Sequence, residues 1–94
     1  MPEFTVHLTA HARADLDALP EEERSALVQA VRTLRHSPFP RRGKIKRLKG
    51  FPFPLYRLRA GNQRVLYRID GEVVTIMRVI ARRDLERILR RLHG

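Results

Sequence analysis

Phe4-Thr5-Val6-His7-Leu8 alternates apolar and polar side chains and stops at Thr9, so a short strand with one covered face leads into a helix capped by the Thr9 hydroxyl. Leu8, Ala12, Leu16 and Leu19 then recur at spacings of four and three, which predicts a helix from about residue 10 to 18 with one apolar side. Pro20 and Glu21-Glu22-Glu23 open a second helix, the proline preset in φ and the carboxylates close to the positive end of the helix dipole. Its apolar face is Ala26, Leu27, Ala30, Val31 and Leu34, and Arg32, Arg35 and His36 gather at its end. Joined through Leu19-Pro20, the two helices form an antiparallel hairpin.

From Ser37 to Pro54 the pattern dissolves into four prolines, two glycines and six basic residues, a composition that predicts a long loop without a helix or central strand. Alternation returns in Leu55–Ala60, Arg64–Ile69 and Val73–Ile80, three strands joined through Gly61-Asn62 and Asp70-Gly71. Asp84–Leu92 closes the chain as a helix with Leu85, Ile88, Leu89 and Leu92 on one face. These elements predict an α+β fold: an N-terminal strand and a helical hairpin packed on a small antiparallel β-sheet, with a short C-terminal helix. Residues 1–94 suffice for one domain, since two cores in so short a chain would each bury too little apolar surface.

Period-two sorting places Tyr56, Leu58, Val65, Tyr67, Ile69, Val73, Thr75, Met77 and Val79 on the side that meets the helical hairpin. The opposite side takes Arg57, Arg59, Arg64, Arg68 and Arg78 together with Leu55, Leu66, Val74, Ile76 and Ile80. Five guanidiniums on one face repel each other unless an anion neutralises them. The apolar residues between them need a cover, which the C-terminal helix or a partner's helix can provide.

Charge sharpens this picture. Residues 1–40 hold 4 basic and 6 acidic residues and residues 41–94 hold 16 and 4, so the two parts carry −2 and +12. A field of that strength on a small domain attracts polyanions. The absence of cysteine excludes disulfides and thiolate metal sites, and His7, His11, His36 and His93 have no metal-ligand spacing, so no metal and no cofactor is expected. No apolar run is long enough to span a membrane and Met1-Pro2-Glu3-Phe4 does not resemble an export signal, so the expected compartment is the cytoplasm with no membrane partner.

Lys46-Arg47-Leu48-Lys49-Gly50, Leu55-Tyr56-Arg57-Leu58-Arg59-Ala60-Gly61, Arg64-Val65-Leu66-Tyr67-Arg68-Ile69-Asp70 and the stretch from Val79 to Leu85 follow the helical hairpin in an order that resembles the RelE/ParE toxins of type II toxin–antitoxin systems. The resemblance covers nearly the whole chain. It implies a RelE-like fold, a cognate, mostly helical and acidic antitoxin as partner and, in the RelE branch, metal-free cleavage of mRNA on the ribosome. It further implies that Arg57, Arg64 and Arg82 are the catalytic positions, Arg64 and Arg82 on the scissile phosphate and Arg57 on phosphate or leaving group. Lys44, Lys46, Lys49, Arg59, Arg78 and Arg83 are then expected to hold the RNA.

The chain also departs from the family pattern. Ala81 stands where many members carry a histidine, Glu86 stands near the usual tyrosine, and Asn62-Gln63 replaces the aromatic residue before Arg64. Glu86, among Arg82, Arg83 and Arg87, is a candidate acid–base group and equally a candidate for surface ion pairs. The missing groups leave open two alternatives: a ParE-like protein that inhibits DNA gyrase without catalysis, or an antitoxin-binding module without nuclease activity.

Overall fold

The computed structural model describes residues 3–93. Met1, Pro2 and Gly94, which the assignment of residues 1–94 to one domain includes, lie outside the described residues, as does the His93 side chain. The elements are β1 (Thr5–Leu8), α1 (Ala10–Asp17), α2 (Glu21–Arg32, continued by a 3-10 turn), β2 (Ile45–Leu48), β3 (Leu55–Ala60), β4 (Gln63–Asp70), β5 (Val73–Ala81) and, after a second 3-10 turn, α3 (Leu85–His93). They build the α+β fold expected from the sequence. The sheet has five strands in the order β1-β5-β4-β3-β2. β1 runs parallel to β5, and the other pairs are antiparallel.

Local chemistry sets the ends of these elements. The Thr9 hydroxyl accepts from Ala12 N at 3.0 Å and donates to Met77 O at 3.1 Å, so one side chain both caps α1 and ties it to β5. Glu21, Glu22 and Glu23 occupy the first turn of α2, and Arg32 its last, each on the favourable side of the dipole. In the β3–β4 turn Gly61 adopts φ +59, a conformation strained for any residue bearing a Cβ.

The two faces of the sheet bury separate cores. Towards the hairpin, Leu16, Leu27, Val31 and Leu34 meet Tyr56, Leu58, Val65 and Tyr67. Tyr67 is fully buried, stacks on Tyr56 with ring centroids 5.5 Å apart and donates its hydroxyl to Pro38 O at 2.7 Å. Burial pushes its phenol above the usual range. On the other face Leu55, Leu66 and Ile80 lie beneath α3, which contributes Ile88 and is flanked by Phe51, Phe53 and Met77. Of the apolar residues expected to need a cover, Leu55, Leu66 and Ile80 receive it from the chain's own last helix.

Two expectations are corrected. The stretch 37–54 is not all loop, because Ile45–Leu48 pairs with β3 as an edge strand, with Ile45 buried in the hairpin-side core. Prolines and glycines flank those four residues instead of interrupting them, and an edge strand needs hydrogen-bond partners on one side only. The face sorting of β5 also fails below Arg78. Leu66 pairs with Arg78 but Tyr67 pairs with Ile76, so Met77 is a bulge residue and parity reverses beyond it. Val74 and Ile76 therefore join the hairpin-side core, and Met77 turns to the α3 side.

Candidate functional site

Cross-strand register assembles the basic residues at one end of the α3-side face. Arg59 on β3 lies directly opposite Arg64 on β4, and Lys46 on β2 lies opposite Arg57 on β3. Opposed residues have Cβ atoms about 5 Å apart, within reach of each other's charge. The Lys44 carbonyl accepts from Arg59 N at 2.9 Å, which extends the basic row past the end of β2. Arg82 joins it because its backbone N–H donates to Asn62 O at 2.9 Å, tying the exit of β5 to the β3–β4 turn.

The four arginines differ in freedom. Arg64 is 5% exposed, and its Nη1 donates to Gly61 O and Gln63 O, both at 2.8 Å. Burial, then repulsion from Arg59, Arg57 and Arg82, lowers its pKa from the ordinary guanidinium value. Arg57 is lowered by burial and by Arg59, and its buried Nε has no hydrogen-bond acceptor among the described residues. Arg59 and Arg82 are exposed. A guanidinium stays charged at any cellular pH, so the repulsion persists as a field instead of being relieved by deprotonation. Among the described residues no carboxylate forms an ion pair with any of these four.

Two other arginines of the sheet have partners. Arg68 reaches both carboxylate oxygens of Asp70, at 2.8 and 3.1 Å, and lies 4.9 Å from the centre of the Phe53 ring. Arg78 reaches both oxygens of Asp15 on α1, at 2.8 and 3.3 Å, and Asp15 also accepts Val79 N at 2.9 Å. Arg78, expected among the RNA contacts, is thus neutralised within the fold. Asp15 lies on α1, 63 residues away in the chain, so alternation along β5 does not reveal this pairing.

The remaining candidates divide in the same way. Lys44, Lys46 and Arg83 are exposed around the arginine group, whereas Lys49 lines a different groove, with Arg47, Leu89 and also Lys46. Glu86 does not line the cleft of about 490 Å³ that holds Arg82 and Arg83, and Arg87 pairs with Asp84 at 3.2 Å. The carboxylate lining that cleft is Glu23, from the first turn of α2, and it also lines the neighbouring cleft with Lys44 and Arg59. Nothing local in the sequence marks Glu23 beyond its place in a helix N-terminus. A larger groove, about 620 Å³, lies elsewhere, between α2 and β1, with Phe4, Val6, Leu16, Val28 and Val31 in its walls and Arg32 and Arg35 at its margin.

Comparison with known proteins gives this architecture its family. A family model described as the ParE toxin of the type II toxin–antitoxin system, parDE, matches residues 6–86. The chain belongs to that family, within the RelE/ParE superfamily of toxins. Among solved structures, a chain of the toxin–antitoxin complex RelBE2 from Mycobacterium tuberculosis is 33% identical, with 85% of this chain and 99% of that one covered and a TM-score of 0.70. The archaeal RelE–RelB complex from Pyrococcus horikoshii contributes a chain 26% identical, covering 87% and 97%, with a TM-score of 0.73. The chromosomal ParDE system of Pseudomonas aeruginosa matches at 20% identity, 86% and 98% coverage and a TM-score of 0.67, a likeness of fold. No curated protein sequence matches the chain.

Proposed function

We propose that this toxin is a ribosome-dependent mRNA endoribonuclease, held inactive by a cognate antitoxin. The observation that carries this reading is the convergence of Arg57, Arg59, Arg64 and Arg82 at one end of the sheet without an ion-paired carboxylate among the described residues. The reaction is attack of a ribose 2′-hydroxyl on the adjacent phosphorus. The P–O5′ bond breaks, a 2′,3′-cyclic phosphate forms, the 2′-hydroxyl proton passes to a base and the 5′-oxygen takes up a proton. Negative charge grows on the non-bridging oxygens, where guanidinium forks act most strongly. Exposed Arg82 and Arg59 contact the phosphate, and Arg57 supports the leaving oxygen. Arg64, bound to its own turn, positions the β3–β4 tip and contributes its field. Glu23 is the carboxylate placed for proton transfer, in place of Glu86. The ribosome supplies the in-line geometry that so sparse an acid–base set does not.

A second reading, non-catalytic inhibition of DNA gyrase, draws support from the ParE family model and from Ala81 and Gln63 at positions where many members of the superfamily carry a histidine and an aromatic residue. Induction of the isolated toxin separates the two. Cuts inside mRNA reading frames, lost in Arg82→Ala, support the nuclease; a DNA damage response with intact mRNA supports gyrase inhibition.

For the antitoxin, the apolar groove between α2 and β1 with Arg32 and Arg35 at its margin suits an acidic amphipathic helix. Val28→Glu in that groove is expected to abolish neutralisation by the antitoxin while leaving toxicity unchanged. Full neutralisation of this variant in co-expression would place the antitoxin elsewhere.

A further inference from the structure

A second concentration of cations lies at the β2 edge, outside the cleft of Arg82. Arg41, Arg42, Lys46, Arg47 and Arg57 line an open cleft of about 430 Å³, and no acidic residue lines it among the described residues. Its scaffold is a tight turn. Arg41 N donates to Ile45 O at 3.0 Å, and Arg41 O accepts from Lys44 N at 3.0 Å and from Ile45 N at 2.9 Å. Gly43 takes φ +76 at its corner. Backbone hydrogen bonds hold the turn, so the Arg41 and Arg42 side chains are exposed and free to engage a ligand.

Arg57 belongs both to this cleft and to the arginine group, and its Nε is the one buried side-chain donor without an acceptor among the described residues. A buried donor is normally satisfied. Here the missing acceptor and the excess of positive charge both call for an anion, and adjacent guanidinium forks match phosphate oxygens in particular. From β2 to the exit of β5 the sheet spans three inter-strand gaps, roughly 14 Å at about 4.8 Å each. That distance corresponds to about four nucleotides at the stacked rise of ~3.4 Å per nucleotide.

We infer that the Arg41–Arg47 turn forms a second phosphate subsite on the β2 side of Arg57, which grips the RNA backbone about four nucleotides from the bond presented to Arg82. The inference rests on the nuclease reading and names how its substrate is held. Attachment at two points along one strand fixes the RNA path across the sheet face, and Arg57 couples the two points.

The test uses the purified toxin, the double variant Arg41→Gln/Arg42→Gln, and labelled single-stranded RNAs of 4, 6, 8 and 10 nucleotides. Wild type is expected to gain affinity with length up to a plateau. The double variant loses that gain but binds the 4-mer as wild type does. Its salt slope for the 10-mer falls by about 1.4, from ~0.7 per phosphate contact. Equal weakening at every length, an unchanged slope, or no wild-type binding to any RNA overturns the proposal. It is also overturned if the double substitution abolishes binding of an oligoglutamate peptide and leaves RNA binding intact, since the cleft then serves an acidic protein. Loss of cleavage in Arg82→Ala is scored separately, so the subsite can fail while the nuclease reading stands.

Discussion

Arg68 and Arg78 on one side, and Arg57, Arg59, Arg64 and Arg82 on the other, are the same residue type on one small sheet, but only the first two are held by carboxylates. The Arg78 pair is half-sequestered, with side chains 21% and 15% exposed, and Asp15 additionally satisfies the Val79 amide beside the β5 bulge. It serves the fold. The unpaired group works against the fold by mutual repulsion and is retained at a sheet end that α3 leaves open. An arginine's meaning in this protein is therefore decided by whether an acidic residue from another element reaches it.

The largest effect is expected where the paired class is broken. Asp15→Ala leaves Arg78 without its counter-charge and Val79 N without an acceptor. For this partly exposed pair the cost should lie near the low end for breaking a buried ion pair, about 3 kcal/mol. For a domain of this size that is a fall in melting temperature of roughly 12–24 °C, measurable by thermal denaturation. A melting temperature within a few degrees of wild type would mean that the pair does not anchor α1 to β5.

Next comes the unpaired class. Arg82→Ala should lower mRNA cleavage about a hundredfold with no loss of stability, since its side chain is exposed and its tie to Asn62 runs through the backbone. Arg64→Ala behaves differently: it removes two hydrogen bonds to the β3–β4 turn and buries a void, so activity and melting temperature fall together. Circular dichroism beside a ribosome-programmed cleavage assay separates the two patterns.

Smaller and opposite in sign, Arg59→Ala should raise the melting temperature by about 2 °C at low salt. The gain reflects roughly 0.3 kcal/mol of relieved like-charge repulsion and should vanish in high salt. The smallest effect concerns Asp70, whose carboxyl is held below the usual range by its hydrogen bond to Arg68. A depressed folded pKa means that this stabilisation is complete above the unfolded pKa and is lost as pH falls through the folded one. Asp70→Asn should lower neutral-pH stability slightly, leave acid-pH stability unchanged and so flatten that part of the pH dependence, as pH-dependent melting curves would reveal.

β3 and β4 were legible in the sequence because each alternates cleanly and a two-residue turn fixes their register, and with them the approach of Arg57, Arg59 and Arg64. β2 was hidden because Ile45–Leu48 sits between prolines and glycines that dominate the local composition. The Met77 bulge leaves no mark on the mostly apolar stretch around it, so period-two sorting misplaces half of β5. The roles of Asp15 and Glu23 are tertiary facts. One lies 63 residues from Arg78, and both come from helices whose own pattern explains them without reference to the sheet.

The salt dependence of binding to a single-stranded RNA tests the division between paired and unpaired arginines most directly. Arg59→Gln and Arg82→Gln should each reduce the slope of log K against log salt concentration by about 0.7, and Arg68→Gln should leave it unchanged. Equal reductions in all three variants would mean that the carboxylate partner makes no difference, and the account would fail.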